Sequence, residues 1–221
     1  EPAVPDWVIA ELSSYQIEAA STLAPQISLW TTFTPDHLAR HKTLHNYFCV
    51  KAKLLHHSEQ VVLNGDDPYL RAQAVDLFPQ AHWTSVQGKT AIAPLRPLAY
   101  IENGWVQVNG MAIVKASALQ MVGRHNLQNL LLAVAAAHLA GIEPGAIAQG
   151  VATFPGVPHR LERVATWQGI HYINDSKATN YDAAAVGLQA VAAPTVLIAG
   201  GEAKEGDDSD WLQRIQAQAA F

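Results

Sequence analysis

Residues 43–68 read TLHNYFCVKAKLLHHSEQVVLNGDDP, and this stretch decides the fold class. Its first half predicts a helix capped by Thr43, because residues recur there at helical spacing: Leu44, Tyr47, Phe48, Lys51, Leu54 and Leu55. Its second half predicts a short strand over residues 60–64, which the turn-forming residues 65–68 close. A helix followed by such a strand indicates an α/β protein.

Further elements are predicted on both sides of this stretch. Two more strands are expected, at residues 7–10 and 26–32. Antiparallel hairpins are expected within residues 82–118, around Gly88, Asn103-Gly104 and Asn109-Gly110. Two helices follow, at residues 126–140 and 144–152. We therefore expect a parallel sheet with helices and a small antiparallel hairpin region.

A break in the pattern predicts a domain boundary. Phe154-Pro155-Gly156-Val157-Pro158 carries three breakers, so we expect one domain over residues 1–153 and a second over 154–221. The second unit is predicted to contain strand 169–174, helix 183–191 and strand 194–199. This predicts part of a second α/β unit, although its Gly200-Gly201 pair lacks the G-x-G-x-x-G dinucleotide motif.

Composition excludes several classes of function. The net charge is −5, which argues against a nucleic-acid partner, since phosphate binding needs clustered Lys and Arg. A single cysteine, Cys49, cannot form an internal disulfide or a zinc–thiolate cluster. No apolar run approaches the ~20 residues of a membrane span. We therefore expect a cytoplasmic protein, monomeric and without a membrane partner.

Three histidines suggest a metal site. His37, His41 and His45 lie four residues apart and would align on one continuous helix, so a zinc-dependent hydrolase is one hypothesis. The H-E-x-x-H motif is absent, however, and the helix is expected to start only at Thr43. His37 alone, next to Asp36 at the end of a strand, is the better site candidate.

Two further side chains have competing interpretations. Glu11 follows the first predicted strand and is either a surface carboxylate or a ligand for a hard cation. Lys51 lies on the apolar face of its helix, where it either extends its amine to solvent or is a buried, modified amine.

Two polar segments are candidates for ligand binding, and only the first is retained. Residues 174–180, NDSKATN, are the densest polar cluster and exceed what a helix cap requires, so they predict a site for a carboxylate or a nucleotide. Gly88-Lys89-Thr90 is similar to the end of a phosphate-binding P-loop. Trp83 stands where that motif needs its first glycine, so we reject a P-loop here.

Five segments, taken in order, resemble the Mur ligase family of ATP-dependent amide-bond ligases. They are residues 11–16 (ELSSYQ), 35–38 (PDHL) with Lys51, 123–129 (GRHNLQN), 158–162 (PHRLE) and 174–180. The resemblance implies a central ATPase domain followed by part of a Rossmann-like C-terminal domain. It also implies a longer protein, whose N-terminal domain, P-loop and C-terminal end lie outside this chain, and we expect the chain alone to be inactive.

The resemblance also implies roles for individual residues. Glu11, His37 and Lys51 would hold Mg²⁺, Lys51 as a carbamate, and His37, Lys51 and Lys177 would be catalytic. ATP would contact five residues, namely His125, Asn126, Asn129, Arg160 and Asp175. Lys177, Thr179 and Lys204 would position the incoming amino acid.

The sequence of residues 174–180 is similar to that of the family branch that adds D-glutamate to UDP-MurNAc-L-Ala. The implied partners are therefore these two small molecules and ATP. Two alternatives stay open: a non-catalytic α/β module that binds a nucleotide or a partner, and a different Mur ligase or a relative of folylpolyglutamate synthase.

Overall fold

The computed structural model describes residues 5–202 and 208–220. Its first part contains α1 (Ser14–Ala19), β1 (Ile27–Trp30), α2 (Leu38–His41), α3 (Leu44–His56), β2 (Gln60–Asn64), α4 (Pro68–Ala74) and β3 (His82–Ser85). The chain continues with β4 (Pro97–Glu102), β5 (Trp105–Val108), β6 (Met111–Lys115), a 3₁₀ turn (Ala116–Ala118), α5 (Arg124–Leu139) and α6 (Pro144–Thr153). The last elements are β7 (Glu162–Trp167), β8 (Ile170–Asn174), α7 (Tyr181–Ala190) and α8 (Ser209–Gln218).

Six of the described strands form one sheet in the order β1-β2-β3-β4-β5-β6. The first four strands pair in parallel, and the last two pairings are antiparallel. Asn103-Gly104 and Asn109-Gly110 make the two tight turns, with φ between 51° and 83°, a region that Asn and Gly tolerate. The hairpins predicted at these two turns are confirmed. The hairpin predicted around Gly88 is wrong, because β3 and β4 run parallel and a crossover connects them.

The core lies on both faces of this sheet. On one face Leu63 packs with Phe48 of α3 and Leu70 of α4. On the other face Val62 packs with Leu131 of α5. Neighbouring residues of β2 thus point to opposite, covered faces, which explains why the strand is continuously apolar.

The helix that carries Lys51 is confirmed. The Thr43 hydroxyl accepts a hydrogen bond from the backbone N–H of Asn46 at 3.1 Å, and α3 begins at the next residue. The fourth helix, α4, is capped by Asp67, whose Oδ1 accepts hydrogen bonds from the N–H groups of Tyr69 and Leu70.

Two predicted strands are wrong. Residues 7–10 have no regular structure, and Ile9 is 97% exposed. Residues 194–199 contain only an isolated bridge from Thr195 to Ala219, and Ile198 is 96% exposed. Both segments are apolar, but a strand requires hydrogen bonds to a neighbour, and among the described residues neither segment has a full partner strand.

Beyond residue 153 the chain has no regular structure until β7. The strands β7 and β8 form a separate antiparallel hairpin, and α7 packs against α8. None of the helices in the described part of the chain is long and apolar enough to span a membrane.

Candidate active site

A cleft of about 430 Å³ brings together three residues singled out from the sequence: Glu11, His37 and Lys51. Its remaining lining residues are Leu12, Ser13, Ser14, Gln16 and Tyr47. The wall consists of the segment before α1, the segment after β1 and one face of α3.

A capping box shapes the first wall of the cleft. The N–H of Gln16 donates to the Ser13 hydroxyl at 3.3 Å, and the N–H of Ser13 donates to the Gln16 side-chain oxygen at 2.8 Å. The two bonds fix the turn at which α1 starts, three residues after Glu11.

A strained backbone presents His37 to the cleft. His37 has φ 53° and ψ 27°, the left-handed conformation that ordinary residues rarely adopt. The Asp36 side chain makes two contacts with His37. Its Oδ1 accepts a hydrogen bond from the His37 N–H at 2.7 Å, and its Oδ2 lies 3.5 Å from the ring Nε2. The ring edge also contacts Tyr15, with centroids 5.3 Å apart.

Lys51 is a half-buried amine within the cleft. Burial lowers its pKa, while the carboxylates of Asp36 and Glu11 raise it to a smaller extent. The Nζ atom lies 5.6 Å from the ring centroid of Tyr47, one helical turn earlier on α3. Burial and, secondarily, Asp36 raise the pKa of Tyr47, which therefore stays a neutral phenol at neutral pH.

The histidine triad does not form. Within residues 5–202 and 208–220, no three His, Cys, Asp or Glu side chains come together as metal ligands. Lys42, with φ 69°, breaks the helix between His41 and His45, so the three histidines do not share one helix. His41 is buried, whereas His45 is exposed and contacts Cys49 at 3.5 Å.

A second cluster lies at the start of α5. Burial lowers the pKa of His125, the Arg160 guanidinium lowers it further, and the Asp175 carboxylate opposes both effects. Arg160 and Asp175 are thus each within electrostatic range of His125. Asn126 is buried and donates its side-chain N–H to the Val122 carbonyl at 2.6 Å, while Asn129 is exposed.

The loop of residues 174–180 presents polar groups beside this cluster. Asp175 is half-buried, and its Oδ1 accepts a hydrogen bond from the Leu161 N–H at 3.0 Å. Lys177 and Thr179 are exposed, and the Lys177 N–H donates to the His159 carbonyl. Lys204, also singled out from the sequence, lies outside the described residues.

Sequence reasoning missed two features of these sites. Tyr47 precedes Lys51 by four residues, a spacing that places both on one helix face. The contact between these two side chains could therefore have been predicted. No spacing or motif in the sequence predicts the second feature, the close contact of Gly187 with Asp175. A Cβ atom there would collide with Oδ2 of Asp175, because α7 packs directly on that carboxylate.

Comparison with known proteins identifies the family of the chain. Residues 3–137 match the model of the Mur ligase middle domain. The chain is 65% identical to the UDP-N-acetylmuramoylalanine–D-glutamate ligase of Synechococcus elongatus, covering 97% of the chain and 47% of that protein. The ligase of the same name from a Nostoc species is 62% identical, with 98% and 48% covered. The chain therefore spans about half the length of the curated relatives it matches.

Solved structures show the same fold. A UDP-N-acetylmuramoyl-L-alanyl-D-glutamate–2,6-diaminopimelate ligase superimposes with a TM-score of 0.65 at 21% identity, covering 94% of this chain and 45% of that one. The UDP-N-acetylmuramate–alanine ligase of Thermotoga maritima gives 0.59 at 20% identity, with 80% and 39% covered. Because the middle-domain match includes more than half of the residues, the chain belongs to the Mur ligase family.

Proposed function

We propose that the gene product containing this chain is an ATP-dependent ligase that joins D-glutamate to UDP-N-acetylmuramoyl-L-alanine in peptidoglycan precursor synthesis. The cleft of Glu11, His37 and Lys51 carries the proposal, because it gathers ionisable groups suited to phosphoryl chemistry. The high identity to relatives with this ligase name supports the choice of substrates.

The proposed reaction has two steps. The substrate carboxylate takes the γ-phosphoryl group of ATP, which forms an acyl phosphate and ADP. The neutral amine of D-glutamate then attacks the acyl carbon, phosphate leaves, and the amine gives up a proton to yield the amide. Negative charge accumulates on phosphate oxygens, so the site must supply fixed positive charge.

The cleft fits Mg²⁺ by the chemistry of its donors. Glu11 offers the carboxylate oxygens that Mg²⁺ prefers, and His37, from another segment of the wall, offers an imidazole nitrogen. When bound, Mg²⁺ would neutralise charge on the phosphate oxygens. Glu11 would help to hold one Mg²⁺ and His37 a second, and Asp36 orients the His37 ring.

An unmodified ammonium on Lys51 would repel Mg²⁺. Burial lowers the pKa of this amine and so increases the neutral fraction, which is the form that reacts with CO₂. The amine forms a bond to the carbon of CO₂ and releases one proton, giving a carbamate. This would convert a cation into an oxygen donor for the second Mg²⁺, which His37 would also hold.

The second cluster would bind the other substrates. His125, Asn126, Asn129, Arg160 and Asp175 would contact the nucleotide. The amino acid has two carboxylates, which call for cationic and hydroxyl partners, here Lys177, Thr179 and Lys204.

We assign residues 1–153 to a central domain and 154–221 to the start of a C-terminal domain, with closure between them completing the site. We expect a cytoplasmic monomer.

The ligase activity is tested on the complete gene product. ADP release should depend on both UDP-N-acetylmuramoyl-L-alanine and D-glutamate. ADP release that ignores D-glutamate but requires another amino acid would overturn the substrate assignment.

The Lys51 carbamate is tested on the same protein. Lys51→Arg should abolish turnover although it keeps the charge, whereas Lys53→Arg, an exposed lysine on the same helix, should leave turnover unchanged. ¹³C-labelled bicarbonate should give one carbamate NMR signal that disappears in Lys51→Arg only. Normal turnover of Lys51→Arg would refute the carbamate.

A further inference from the structure

The turn that presents His37 cannot be stable by itself. The second helix, α2, has only four residues, and a single helical turn is unfavourable in isolation. Both flanking residues, His37 and Lys42, have positive φ (53° and 69°), which costs additional free energy for residues other than glycine. Contacts with the rest of the protein must therefore hold this turn in place.

One buried side chain on α2 makes such contacts. His41 is 5% exposed, and its Nε2 forms a 3.0 Å hydrogen bond with the hydroxyl of Ser14, itself buried at the start of α1. The His41 ring stacks on the ring of Tyr47, with centroids 5.1 Å apart and planes inclined by 26°. Its carbonyl accepts a hydrogen bond from the Asn46 side chain at 3.2 Å. His41 thus joins α2 to both α1 and α3.

A second polar link between α2 and α1 is weaker. Arg40 forms an ion pair with Glu18 at 2.8 Å, but this pair lies at the surface, where such pairs contribute little. The buried hydrogen bond of His41 is worth more, because breaking it leaves the Ser14 hydroxyl without a partner away from water.

We propose that His41 is a positioning residue for the cleft. It anchors the turn that fixes the His37 backbone, and it holds Ser14 and Tyr47, both of which line the cleft. Tyr47 in turn contacts the His37 ring, with centroids 6.2 Å apart, and the Lys51 amine. The inference depends on the proposed function only for what His37 and Lys51 do chemically.

The hydrogen bond and the ring contact of His41 can be separated by substitution. His41→Phe keeps a ring against Tyr47 but removes the bond to Ser14. His41→Gln keeps a polar group for Ser14 but removes the ring. The matched control is His45→Gln, which changes an exposed histidine on the adjacent helix.

NMR tests the inference without metal or substrate. The His37 ring lies nearly perpendicular to two tyrosine rings, whose ring currents should shift its carbon-bound protons. Both His41 variants should move these signals toward the positions of a free histidine, and His45→Gln should leave them unchanged. Unchanged His37 signals in whichever His41 variant folds would overturn the inference.

Metal affinity then tests the link to the proposed function. With Mn²⁺ as the probe, His37→Ala removes a proposed ligand and should weaken binding. Both His41 variants should weaken it about tenfold or more, a typical effect of losing an outer positioning group. If His37→Ala leaves Mn²⁺ binding unchanged, the metal role in the proposed function fails, while the NMR result still decides the role of His41. If only the His41 variants leave binding unchanged, His41 does not position a metal ligand.

Discussion

Replacing Gly187 by alanine tests how α7 holds the Asp175 carboxylate. The added Cβ would occupy the place of Asp175 Oδ2, so the carboxylate must rotate away. That rotation removes the hydrogen bond from the Leu161 N–H to Oδ1. The matched control is Gly150→Ala, since Gly150 lies at the equivalent place in α6, three residues before the helix ends, with open space around it.

Two opposing terms set the size of the effect. Alanine in place of glycine stabilises a helix interior by about 1 kcal/mol, and both variants gain this. Gly187→Ala also loses a hydrogen bond to a charged acceptor, worth about 1.5–3 kcal/mol. We therefore expect Gly187→Ala to be about 2 kcal/mol less stable than Gly150→Ala, a difference of roughly 4–8 °C in Tm for a protein of this size.

Urea unfolding of the single and double variants measures this difference. In an Asp175→Ala background the collision is gone, so Gly187→Ala should become stabilising, as Gly150→Ala is in both backgrounds. The change of sign isolates the contact between Gly187 and Asp175. Equal stabilisation by the two alanines in the wild-type background would exclude a collision between residue 187 and Asp175.

The remaining predictions concern other parts of the molecule. Gly65→Ala should destabilise by about 2 kcal/mol, because its Cβ would lie 2.8 Å from the backbone oxygen of Thr84, and unfolding curves that match wild type would contradict this. The NMR titration midpoint of His125 should fall below about 6.5, and Arg160→Ala should raise it. An unchanged midpoint in Arg160→Ala would show that Arg160 does not lower the pKa of His125. Because the depressed pKa favours the neutral ring, the contribution of His125 to stability is full above that pH and declines as the pH falls through the window below it. Thr43→Ala should cost about 1 kcal/mol by uncapping α3, which thermal unfolding would detect and an unchanged Tm would exclude.

Elements governed by neighbours in sequence were predictable. Thr43 caps the helix that immediately follows it, and each Asn-Gly pair turns the chain within its own hairpin. The wrong strands, residues 7–10 and 194–199, are apolar enough to be buried. Whether such a segment pairs depends on which backbone lies beside it, and four to six residues contain no information about that.

The candidate site was likewise predictable only in part. Position and resemblance picked out Glu11, His37 and Lys51 one at a time, and the fold brings them to one cleft. Their chemical roles stay predictions. The helix was expected to start only at Thr43, which separates His45 from His37 and His41, and this start is confirmed. The spacing did not reveal that His41 packs inward or that Lys42 has a positive φ. Such a backbone conformation at a lysine has no local sequence signal.

The antiparallel end of the large sheet has a consequence for the order of folding. In β4, β5 and β6 the paired residues are close in sequence, as with Glu102 and Trp105, whereas Ile27 of β1 pairs with the distant Gln60. Closing a short loop loses little chain entropy, and hairpins form in about 1–10 μs. The meander can therefore nucleate first and offer the edge of β4 as a template, onto which the slower, high-contact-order parallel strands assemble.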